Sequence, residues 1–161
     1  MRESLKPYEN DLTIRIHKEL ANAKDNQRAV ILIASSYLEM LVSFLVEKKC
    51  KNYKKIQKEN EFSYFYKLLL LNEIGLIDDD YYMRLEKFRN IRNELSHNPI
   101  FNLKENSIRE LSNNHYSKLD DLYSVCNFLW IELWNQYSDI FIPKFLPTAL
   151  NRVDKNSNSK N

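Results

Sequence analysis

Apolar residues recur along this chain with the three-to-four-residue spacing of helices, not the alternation of strands. Leu12, Ile16 and Leu20, adjoined by Ile14, form one stripe and predict a first helix over about 7–23. Asp25 or Asn26 then stands where an N-cap belongs, ahead of a run, AVILIASSYLEMLVSFLVEKK, that is apolar almost all round. That run approaches the length of a bilayer span. Ser35, Ser36, Glu39 and Ser43 interrupt it, however, and the pattern predicts a central helix surrounded by others.

Between Lys48 and Glu61 the chain turns polar and basic, KKCKNYKKIQKENE, and reads as a solvated connector or an extension of the second helix. Ser63 is placed to cap a third helix over about 64–72, which Gly75 ends. Asp78, Asp79 and Asp80 offer an N-cap and favourable negative charge to a fourth helix, with Leu85, Phe88, Ile91 and Leu95 on its core face. Residues 98–114 read as a polar connection with a short helical turn near Ile108–Leu111. A fifth helix is predicted over about 116–137, burying Leu119, Leu122, Cys126, Leu129, Trp130 and Leu133. The segment IFIPKFLPTAL carries two prolines and is expected to lie extended across the core or a partner. Residues 1–150 then form a single domain, and 151–161 a disordered polar tail.

Composition narrows this picture. One glycine in the whole chain leaves almost no site for the positive φ that tight hairpins and phosphate-cradling loops require. A Walker loop and a dinucleotide fingerprint are thereby excluded. The expected fold is all-α, a bundle of about five helices. A net charge of +2 exerts little overall pull on nucleic acid, so such binding would need a local patch. Cys50 and Cys126 are far apart without ligating neighbours, and read as two thiols in a reducing compartment. The first residues, MRESLKPYEN, hold no apolar signal segment, so the expected location is the cytoplasm, away from any membrane.

Candidate chemistry concentrates in RNIRNELSHNP, residues 89–99. At about 100° per residue, Arg92 projects into the core arc, between Leu85 and Phe88. Ser96, Arg89 and Asn93 follow on the adjoining side, with His97 beyond them. Pro99 disfavours helix at Asn98, so the helix is expected to end at Ser96 or His97. A fixed cation, an amide and an imidazole thus gather at one helix end. Cleavage of RNA by its own 2′-OH can use that set without metal or cofactor: a base, an acid, and a guanidinium for the charged phosphorane. One histidine cannot easily serve as both acid and base, and a two-fold dimer would supply the second copy. The plain alternative is a polar helix end that His97 merely caps.

Other residues are placed more simply. Glu39, a lone carboxylate in the apolar second helix, is expected to pair with Arg89 or Arg92. Trp130 and Trp134 read as core or dimer interface, His17 as a surface or packing residue, and His115 as a helix start. No helix-turn-helix pair for reading DNA is evident.

The segment Arg92-Asn93-Glu94-Leu95-Ser96-His97 resembles the R-x4-6-H signature of the HEPN superfamily. Those proteins are all-α bundles of four or five helices, and many are dimeric, metal-independent ribonucleases of toxin–antitoxin and other defence systems. The resemblance implies Arg92 and His97 as a catalytic pair and Asn93 as their orienting residue, and Arg89 and Ser96, beside them on the helix, are expected as RNA-binding or supporting residues. It also implies RNA as substrate, a homodimer, and an antitoxin or regulatory protein as partner. Glu94 departs from a purely neutral or basic motif, but at ~160° from Arg92 it points away from the site. Residues 28–98 more broadly resemble the mannitol operon repressor-type family, which implies a non-catalytic regulatory or protein-interaction module.

Overall fold

The run that is apolar all round becomes helix α2 (Gln27–Lys49), and the rest of the chain is laid against it. Our computed structural model describes residues 11–58, 62–112 and 121–146. Helix α1 (Leu12–Ala23) precedes α2, and α3 (Tyr53–Ile56), α4 (Tyr64–Glu73), α5 (Asp79–His97), α6 (Glu105–Arg109), α7 (Leu122–Gln136) and α8 (Ser138–Phe145) follow. No strand occurs among the described residues. The fold is all-α.

Helix α2 contacts α1, α3, α4, α5, α7 and α8, which explains why so much of its circumference is apolar. Val30, Ile31, Ala34, Leu38, Leu41, Val42, Leu45 and Val46 are all fully buried. By length and composition α2 could cross a membrane; here its apolar positions form the centre of the bundle. Asn26 is the N-cap, its side chain accepting from the Ala29 amide at 3.1 Å. Leu12, Ile16 and Leu20 of α1 are buried as the stripe predicted. His17 is exposed on α1, its ring 5.1 Å from that of Trp130.

Helices α4 and α5 form an antiparallel pair. Asn72, near the end of α4, donates to Asp79 at the start of α5 (3.0 Å), while Phe65 at the start of α4 lies beneath Arg89, midway along α5. The link between them turns at Gly75, whose φ of 71° is the left-handed conformation that ends helices. Asp78 caps α5 by accepting from the Tyr81 amide at 2.8 Å. Ser63 occupies the N-cap position of α4, but its side chain makes no capping hydrogen bond.

Three expectations need correction. The segment from Ile140 is helical to Phe145, not extended, with Pro143 inside α8. Proline removes one amide donor, and in so short a helix that loss is outweighed by burial of Phe141. Its ring stacks on Trp134 at 5.4 Å, and Phe145 meets Phe44 edge-on at 5.1 Å. Pro147 to Leu150, the tail, His115 and Leu119 lie outside the described residues. The turn between α5 and α7 falls at Glu105–Arg109, slightly before its expected place, with Ile108 and Leu111 buried. Within the basic connector, Tyr53–Ile56 forms the separate helix α3 instead of extending α2.

The two thiols are free, Cys126 buried and Cys50 partly so. Trp130 and Trp134 belong to the core, their rings 6.4 Å apart.

Candidate functional site

Helix α5 runs from Asp79 to His97 because its N-cap and its Asn-Pro terminus frame an unbroken apolar stripe. Tyr81, Leu85, Phe88, Ile91 and Leu95 are buried along it. The C-terminal carbonyls of α5 are held by a residue that periodicity does not single out. Arg28, near the start of α2, donates to the carbonyls of Leu95 (2.7 Å), Asn98 (3.1 Å) and Pro99 (3.1 Å). A cation at this end also suits the helix dipole. His97 therefore does not close the helix; it projects exposed from a terminus that Arg28 already fixes.

One arginine of α5 does not sit where the helical wheel places it. Arg92 is exposed, not directed into the core. The reason is the length of α4: it begins opposite Arg89, so α5 beyond that point has no α4 neighbour on this side. The buried arginine is Arg84, 6% exposed. It forms a two-pronged ion pair with Glu132 of α7 (2.8 and 2.7 Å) and a further bond to Asp80 (2.9 Å). Burial opposes the charge of Arg84, but Glu132 and then Asp80 outweigh that and raise its pKa. One signal for this pair was available: Glu132 is the single charge within the apolar stretch FLWIELW.

Glu39 is exposed and forms no ion pair with Arg89 or Arg92. The expected pairing does not form, because Glu39 lies on the side of α2 that a cleft leaves open. That cleft has a volume of about 340 Å³ and is walled by three helices. Ser35 and Glu39 come from α2, Tyr64 and Phe65 from α4, and Arg89, Arg92 and Asn93 from α5. Ser63 and Phe88 complete it.

Within this frame Arg92 Nη1 donates to Asn93 Oδ1 at 3.1 Å. Arg89 is half-buried, its guanidinium 5.2 Å from the centre of the Phe65 ring. The Tyr64 phenol is pushed well up by burial, with the nearby Glu39 carboxylate adding to the rise and Arg89 opposing it. Ser96 is exposed, and its hydroxyl donates back to the Arg92 carbonyl at 2.9 Å. Arg89, Arg92 and Asn93 are thus brought to one cleft. His97 lies one turn past Asn93 on the same helix, and Ser96 is bonded to its own backbone. Of the cleft residues outside α5, the sequence marked Ser35 and Glu39 as interruptions of the apolar run and Ser63 as a cap, while Tyr64 and Phe65 carried no such mark.

Among the described residues no three His, Cys, Asp or Glu side chains gather as metal ligands. Compared with family models, curated proteins and solved structures, the chain matches none.

Proposed function

We propose that this protein is a metal-independent endoribonuclease of HEPN type, acting in the cytoplasm as a homodimer. The observation that carries the reading is the state of Arg92. It is exposed at the mouth of the cleft, unclaimed by any carboxylate among the described residues, with its guanidinium bonded to the Asn93 side chain. A guanidinium so placed suits a phosphate with charge building on its oxygens.

In this reading the substrate's 2′-oxygen attacks the adjacent phosphorus while the bond to the 5′-oxygen breaks. One His97 takes the hydroxyl proton, and the second copy's His97 protonates the leaving oxygen. Products are a 2′,3′-cyclic phosphate and a free 5′-hydroxyl. Arg92 stabilises the phosphorane and Asn93 holds Arg92 in place. The five longer helices, α1, α2, α4, α5 and α7, with the motif ending α5, suit a HEPN-type bundle.

The test is cleavage of end-labelled RNA in EDTA by wild type, His97→Ala and Arg92→Ala. Loss of at least a hundredfold in both variants is expected, given the ~10²–10⁴-fold contributed by acid–base groups. Full cleavage by both variants, or none by wild type, overturns the reading.

A second reading, a regulatory module of the mannitol operon repressor type, has one observation in its favour. Ile100, just beyond the end of α5, is 88% exposed, and Met83 is 67% exposed. In this reading they meet a protein partner, whether a second copy, an antitoxin or a regulator.

A further inference from the structure

Three buried side-chain atoms make no hydrogen bond among the described residues: Ser35 Oγ, Tyr64 OH and Arg89 Nε. They come from three different helices, α2, α4 and α5, and all three line the same cleft. Proteins satisfy the great majority of their buried polar groups, so unmatched ones are expected to be few and scattered. Here they converge. Convergent unmatched polar groups within one concave cleft are what a preformed ligand pocket presents.

The donors and acceptors define the ligand. Arg89 Nε–H can only donate, so it needs an acceptor. Glu39 at the same cleft can only accept when ionised, and no ion pair among the described residues engages it. The Ser35 and Tyr64 hydroxyls serve either way. A simple anion would satisfy Arg89 but face Glu39 with nothing to give. An apolar ligand would leave every group unmatched. The occupant must carry donors and acceptors on one compact frame, and the half-buried Phe65 offers apolar surface beside them.

We propose that this cleft is a nucleobase pocket and that its occupant is the guanine of a ribonucleotide. Guanine alone among the four bases offers two adjacent donors, N1–H and the exocyclic amine, which match the two oxygens of a carboxylate. Its O6 and N7 acceptors then meet Arg89 and a hydroxyl. A cleft of about 340 Å³ has room for a base. Arg92 and Asn93 line the same cleft and stand toward the end of α5, where the attached phosphate would lie. The assignment deepens the ribonuclease reading and rests on it for RNA as the ligand's source. It makes Glu39 the specificity-determining residue.

The experiment is calorimetric titration of the full chain with the 3′-monophosphates of guanosine, adenosine, cytidine and uridine, and with inorganic phosphate. Wild type is expected to bind the guanosine nucleotide at least tenfold more tightly than the other three. Glu39→Gln, an exposed isosteric change that leaves the core untouched, should abolish that preference by placing an amide donor opposite guanine's own donors. Phosphate alone should bind more weakly, with no response to Glu39→Gln. Equal affinity for all four nucleotides, no saturable binding, or a preference that survives Glu39→Gln overturns the pocket.

Cleavage of labelled RNA is followed in parallel on wild type. Guanosine-selective binding without cleavage supports the pocket and removes the ribonuclease reading. Cleavage with no guanosine selectivity does the reverse.

Discussion

Arg28 and Leu95, 67 residues apart, are joined by a 2.7 Å hydrogen bond from guanidinium Nη2 to the backbone carbonyl. With its bonds to Asn98 and Pro99, Arg28 ties the start of the central helix to the end of the helix that bears His97. The histidine's backbone is thereby held by the core instead of by a frayed terminus. Arg28→Ala should cost about 1.5–3 kcal/mol, the range for hydrogen bonds to charged groups. Urea denaturation gives the stability change, and faster amide exchange in the last turn of α5 locates it. An unaltered exchange pattern there would show that α5 ends without help from Arg28.

The Arg84–Glu132 pair links α5 to α7 through the buried side of the bundle. Removing one partner leaves a largely buried guanidinium with only Asp80, itself mostly exposed. Glu132→Ala is expected to destabilise by about 3 kcal/mol, the lower end for broken buried pairs because Glu132 is part-exposed. Replacing both residues with apolar ones, Arg84→Met with Glu132→Leu, should recover most of that loss. A double-mutant cycle in urea measures the coupling, and strictly additive losses would contradict it.

Gly75 is the one residue with positive φ among those described, and a Cβ added there would meet nothing within 4 Å. Gly75→Ala therefore meets no steric obstacle, only the backbone cost of a left-handed L-residue. The expected loss is about 1–2 kcal/mol by thermal or urea unfolding, with α4 and α5 retaining their helicity by circular dichroism.

Alkaline stability follows from three buried groups. Burial raises Tyr81, Tyr64 and Cys126 above their ordinary values, with Glu132 adding at Tyr81, Glu39 at Tyr64 and Asp121 at Cys126. Above a pH of about 9 to 10 the unfolded chain releases these protons while the native state keeps them. The native state then binds more protons, so stability falls as pH rises. Each group contributes about 1.4 kcal/mol per pH unit within its window. Tyr64→Phe should leave stability at neutral pH unchanged or higher, since it removes a buried hydroxyl that makes no hydrogen bond. Above a pH of about 10 its stability should decline less steeply than that of wild type. Parallel declines would show that the Tyr64 phenol titrates normally.

Substitutions at Arg92, His97 and Glu39 bear on the proposed chemistry, those at Arg28, Glu132 and Gly75 bear on the scaffold, and Tyr64→Phe bears on both because Tyr64 also lines the cleft. The first two sets are separable because Arg28, Gly75, Arg84 and Glu132 lie outside the cleft that Glu39 and Arg92 line.

What the sequence determined by itself was local. Helices are set by residues within four positions of one another, so the stripe of α1, the Asn26 and Asp78 caps, the break at Gly75 and the end of α5 before Pro99 were all legible. The all-α class followed from a single glycine and a three-to-four-residue period. Ser63 shows the limit of even local rules: it occupies a cap position, yet its side chain makes no capping bond. Pro143 shows it too, since burial of Phe141 and Phe145 against Trp134 and Phe44 favours a helix that the proline alone argues against.

Tertiary structure alone decided what faces what. A helical wheel places both Arg84 and Arg92 within the core arc of α5, because it assumes equal cover along the whole helix. The cover is unequal: α4 begins at Tyr64, opposite Arg89, and α7 brings Glu132 to Arg84. The same truncation of α4 opens the cleft where Ser35, Tyr64 and Arg89 meet without hydrogen bonds. Their convergence depends on where three separate helices start, cross and end, and no spacing within any one of them encodes it.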